Sequence, residues 1–125
     1  ENQVRADILD LVRDVNGFDG SATGFVGSKS SNYLAAEKLW DSASITELSN
    51  LAISHPSAAV RCYAVEGLCR HGTSNNEAVS ALSSIKTKIF SDESMVDAMS
   101  GCCGYSEMVK NVIQQLFTQY QISQQ

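Results

Sequence analysis

Four cysteines and two histidines, Cys62, Cys69, Cys102, Cys103, His55 and His71, are the side chains with the most reactive chemistry to offer. A thiol nucleophile needs an imidazole within hydrogen-bond reach. Cys69 and His71 are two residues apart, and that spacing turns side chains away from each other on a helix. His55 and His71 bracket one helical stretch whose rise separates them by roughly 20 Å, too far to share a metal ion. Neither histidine has Cys, Asp or Glu at a zinc-ligand spacing, and the chain has no Cys-x-x-Cys. Serines are frequent, but none sits in a Gly-x-Ser-x-Gly elbow. The run from Gly24 to Ser30 has the composition of a phosphate-binding loop, yet Ser28 separates Gly27 from Lys29 and no strand is predicted before it. The expectation is a chain with no catalytic residue, no cofactor and no metal ligand.

The same cysteines bear on compartment. Cys62 and Cys69 lie about 10 Å apart along one helix and cannot bridge. Adjacent Cys102 and Cys103 would bridge only through a strained ring. Cys69–Cys102 and Cys69–Cys103 are the pairings left open, beside the simpler reading of small buried apolar thiols. The chain begins at Glu1 and not at Met, which fits a processed, exported protein or a trimmed chain. Its Ser, Asn and Gln content with few lysines favours a periplasmic or secreted protein, with the cytoplasm as the alternative.

Charge limits the partners. The 125 residues carry a net charge of -5, which disfavours nucleic acid and anionic membranes. No apolar run approaches the ~20 residues of a membrane helix. Asp7, Asp10, Asp14 and Asp19, with Glu37 and Asp41, form either a solvated acidic face or a docking surface for a basic protein. Phe18, Asp19 and Phe25 are candidate anchors in the long Asn16–Lys29 loop.

The elements that would position these groups are helical. One apolar stripe runs from Gln3 to Val15 and another from Ser31 to Trp40. A Ser44-x-x-Glu47 capping box opens a helix to Ser54. His55-Pro56 breaks the chain, because proline disfavours a helical residue before it. The next helix, Ser57 to His71, is apolar nearly all round and should be buried. A second box, Ser74-x-x-Glu77, opens a helix to Phe90. Met95, Val96, Ala98, Met99, Cys102 and Cys103 read as a sixth helix, and Ser106 to Gln121 as a seventh that caps the end, with Ile122 to Gln125 frayed. Arg61 lies on an apolar face and needs a partner, Asp92 or Asp97, in a structural ion pair; binding a ligand carboxylate is the other role open to it.

His55-Pro56-Ser57-Ala58-Ala59-Val60-Arg61, continuing through Ala64, Glu66, Leu68 and Gly72, resembles the inter-helix turn and second helix of a HEAT or HEAT-like (armadillo-type) repeat. His55 stands where that pattern has Asp. Val96 follows Val60 at a repeat-like offset. The resemblance implies an all-α fold, a short right-handed α-α superhelix of about three HEAT-like helix pairs with a C-terminal capping helix, forming one domain over residues 1–125. It also implies a non-enzymatic protein–protein interaction module. The chain further resembles small acidic helical immunity proteins that neutralise secreted toxins such as cell-wall amidases, which implies a secreted hydrolase as partner. HEAT-like bilin lyases supply a third, ligand-binding alternative.

Overall fold

In the computed structural model, residues 4–23, 29–101 and 103–123 are described. The elements in chain order are α1 (Ala6–Leu11), β1 (Phe18–Thr23), α2 (Ser31–Ser42), α3 (Ile45–Ser54), α4 (Ala58–Gly72), α5 (Asn76–Ile89), β2 (Met95–Gly101), β3 (Cys103–Met108) and α6 (Val109–Gln119). The protein is therefore mixed α and β, with six helices and one three-stranded sheet among the described residues. This overturns the all-α expectation and the superhelix of three helix pairs.

The sheet arises where a sixth helix was expected. Val96 and Ala98 are 4% and 6% exposed, while Met95, Asp97 and Met99, which alternate with them, are exposed, a pattern of period two. A short apolar run satisfies a helical stripe and a strand equally well, and Gly101 and Gly104 weaken the helix. β2 pairs antiparallel with β3, which occupies the start of the expected seventh helix, so α6 begins only at Val109. β1 lies in the long glycine-rich loop and pairs parallel with β2, giving the order β1-β2-β3. Val96 thus lies in a strand, and its offset from Val60 marks no repeat.

α4 is the interior of the molecule. Its residues Ala59, Val60 and Cys62 to Cys69 are all buried, and it contacts α2, α3, α5, α6, β1 and β2. The turn that launches it is built locally. His55 is extended (φ -68°, ψ 138°) ahead of Pro56, and its Nδ1 accepts the Ser57 amide at 3.0 Å. Ser57 caps α4 by accepting from the Val60 amide. Burial, then the charge of Arg61, holds the His55 imidazole below its ordinary pKa, which keeps Nδ1 free to accept.

The remaining helix ends follow their capping chemistry. Ser44 and Glu47 form the reciprocal capping box of α3. α5 is capped by Asn75, whose side chain accepts from the Glu77 amide, and not by Ser74. α6 ends in a Schellman turn: Ile122 N donates to Phe117 O at 2.8 Å and Gln121 N to Thr118 O at 3.2 Å, with Gln121 at φ 59°. Ile122 packs against the core instead of fraying. No helix among the described residues is long and apolar enough to cross a membrane.

Candidate interaction surface

β2 carries the most conspicuous surface feature. Residues directly opposite on antiparallel strands share a face. Met95 opposes Met108, Asp97 opposes Ser106 and Met99 opposes Gly104 on the outward face, while Val96 and Ala98 face the helices. Met95 is 58% exposed and Met99 37%, separated by about 13 Å of strand. Tyr105, on the terminal strand β3, is 47% exposed. Half of the large apolar side chains exposed on the described surface thus sit on this one hairpin; Leu9, Leu34 and Val79 are scattered over three helices. Tyr105 opposes Ala98 and so belongs to the other face of the hairpin; isolated apolar residues need no explanation, whereas two methionines on one sheet face do.

Two carboxylates border this strip. Asp97 Oδ1 accepts from Ser106 Oγ at 2.8 Å. Asp19 of β1 is in register with Met99. Its Oδ2 accepts from Asn32 Nδ2 at 3.0 Å, and its backbone is clamped by Tyr63 Oη, which accepts from Asp19 N at 2.6 Å and lies 3.1 Å from Asp19 O. Asn32 also bonds Asn16, tying the start of α2 to the segment that enters β1. Edge and face are therefore held by the helical core, and a partner would meet a fixed arrangement.

The residues singled out from the sequence are dispersed. Asp7 and Asp10 are exposed on α1 and Asp14 lies in the turn after it. Each has an arginine neighbour: Asp7 is 3.8 Å from Arg5, and Asp10 and Asp14 are 3.4 and 4.0 Å from Arg13. Solvated pairs of this kind contribute little and dilute the acidic face. Phe18 is only partly exposed; its ring packs tilted at 45° against Tyr63 with centroids 4.7 Å apart, so it belongs to the core wall. Phe25 and Cys102 lie outside the described residues. Lys29 of the glycine-rich loop bonds Glu37 at 2.8 Å.

Arg61 and Asp97 do not meet. Arg61 donates from Nε to Asp92 Oδ2 at 2.8 Å and from Nη1 to the carbonyls of His55 and Pro56 at 2.8 and 3.1 Å. Those bonds staple the α3–α4 turn to the segment that leads into β2. Cys62 and Cys69 are free and buried, so Cys69 forms no bridge. Burial pushes both thiols up to about 12, which makes them poor nucleophiles. No group of three His, Cys, Asp or Glu side chains gathers as a metal site among the described residues.

Met95, Met99 and Tyr105 were missed as surface residues because the helical reading turned the methionines inward. The alternation of Met95-Val96-Asp97-Ala98-Met99 is the signal that would have exposed them. Compared with protein-family models, curated proteins and solved structures, the chain matches none.

Proposed function

We propose that this protein is a non-enzymatic binding module that engages a protein partner on the outward face of the β2–β3 hairpin. The observation that carries this reading is the exposure of Met95 and Met99 on the same face of one preformed sheet. Methionine side chains are common at interface centres, where they adapt to a partner's shape. Asp19 and Asp97 beside them, and the net charge of -5, favour a partner that presents basic groups around an apolar centre. The arginine-paired Asp7, Asp10 and Asp14 have no part in the contact.

Affinity capture from the source cells tests this reading. The wild-type chain and the triple variant Asp7→Asn, Asp10→Asn, Asp14→Asn should retain the same basic protein. A Met95→Asp, Met99→Asp variant should lose it while its stability stays within about 0.5 kcal/mol, as exposed substitutions usually do. Retention by the methionine variant, or loss on changing the α1 acids, would overturn the assignment.

A further inference from the structure

A second surface feature lies between α2 and α4. Glu37, Trp40, Asp41, Arg70 and His71 line a cleft of about 340 Å³, near the lower end of the range for small-molecule sites. Trp40 lies beneath it, 5% exposed, and its Nε1 donates to Tyr63 O at 2.8 Å. The ring under Arg70 is therefore fixed by the core.

One wall is cationic. The Arg70 guanidinium lies over the indole, 4.4 Å from its centroid, and Nη1 donates to Tyr120 Oη at 3.2 Å. Tyr120 Oη in turn donates to the buried Glu66 Oε2 at 2.8 Å. The guanidinium is thus oriented by a ring and a hydroxyl, and no carboxylate lies within ion-pair distance of it among the described residues. A planar, preset fork with free N–H groups suits a carboxylate. The other wall is anionic. Glu37 and Asp41 are one turn apart on α2; Glu37 is engaged by Lys29 at 2.8 Å, while Asp41 is exposed and has no side-chain bond to any described residue. His71 Nε2 lies 3.2 Å from the Trp40 carbonyl. A carbonyl can only accept, so Nε2 carries the proton and the ring is pinned at the cleft margin.

We infer that this cleft binds a small zwitterion, a free amino acid or a dipeptide, with its carboxylate on Arg70 and its ammonium group at Asp41. A simple anion would be opposed by Glu37 and Asp41, and a simple cation by Arg70. A molecule carrying both charges satisfies both walls.

Trp40 is the only tryptophan and reports directly on its own cleft. The whole chain is titrated with a panel of free amino acids and dipeptides while its fluorescence is followed. For each compound that binds, the N-acetylated form tests the ammonium contact and the C-terminal amide tests the carboxylate contact. A saturable emission change is expected for at least one member, with affinity at least tenfold weaker for each of its blocked forms; whether that member is a single amino acid or a dipeptide identifies the ligand. Asp41→Asn and Arg70→Gln should each weaken binding at least tenfold. Asp41 is exposed and has no side-chain bond to any described residue, so its replacement leaves the fold intact even where that of Arg70 does not. No emission change across the panel, equal binding of a blocked form, or wild-type affinity in Asp41→Asn would overturn the inference.

Discussion

A β-carbon placed on Gly67 would lie 2.5 Å from Cδ1 of Trp40 and 3.0 Å from its Nε1, with Leu48 Cδ1 at 3.2 Å. α2 and α4 approach as closely as they do because Gly67 has no side chain there. The indole cannot swing away, being bonded to Tyr63 O at 2.8 Å and covered by Arg70. Alanine gains up to ~1 kcal/mol of helix propensity over glycine, but overpacking a filled core costs about 1–3 kcal/mol. Gly67→Ala should therefore be a net loss of about 1–2 kcal/mol in a urea denaturation, with a shifted Trp40 emission maximum in the folded state. A stabilised variant would mean that α2 moves aside freely.

Glu47 predicts a loss of stability in acid. Its carboxylate accepts from Arg5 Nε at 3.0 Å, from the Arg5 amide at 3.0 Å and from the Ser44 amide at 2.9 Å. The Arg5 hydrogen bond is the main reason its pKa falls from 4.5 to about 2. A carboxyl held below its unfolded value stabilises the fold above that value and ceases to do so as pH falls through the folded one. Stability should decline between about pH 4.5 and 2, and Glu47→Gln should flatten that part of the profile. A wild-type slope in the variant would assign the acid sensitivity elsewhere.

Glu66 works in the opposite sense. Burial raises its pKa above the ordinary 4.5, and the Tyr120 hydrogen bond only partly counteracts this. A carboxyl raised in the fold favours the folded state at low pH, and that contribution is lost as pH rises through the folded value. Stability should therefore carry a downward component from about pH 4.5 upward that Glu66→Gln removes. Tyr120→Phe should move the component to higher pH, because the hydroxyl that favours the ionised form is gone. NMR titration of the Glu66 carboxyl carbon checks both; a titration below 4.5 would contradict the reading.

Gln121 occupies a left-handed conformation at φ 59° without being glycine. Glycine adopts that conformation without the Cβ penalty. Gln121→Gly should stabilise the protein by about 0.5–1 kcal/mol, measured by thermal or chemical denaturation, because the Schellman bonds to Phe117 and Thr118 are kept and relief of the left-handed penalty outweighs glycine's greater unfolded-state entropy. An unchanged or lowered midpoint would mean that the end of α6 is not ordered in this form in solution.

Local signals in the sequence reach only part of this structure. The Ser44–Glu47 box, the His55-Pro56 break and the continuous apolarity of α4 are each written within a few residues, and each has its counterpart in the fold. The sheet is written non-locally. Phe18 pairs with Ala98, across a sequence separation that no windowed pattern spans, and β1 contains two residues, Gly20 and Asp19, that disfavour strands in isolation. The segment from Met95 to Met99 was too short to separate the two periods by itself. The surface strip was hidden for the same reason, since the register that brings Met99 beside Asp19 exists only once β1 and β2 pair.

Amide hydrogen exchange of the protein with and without its captured partner addresses the proposed binding face itself. Added protection should appear over Met95–Met99 and Tyr105–Glu107, with none over Ala6–Leu11. Protection confined to α1 or to other helices, with the β2–β3 hairpin unchanged, would contradict it.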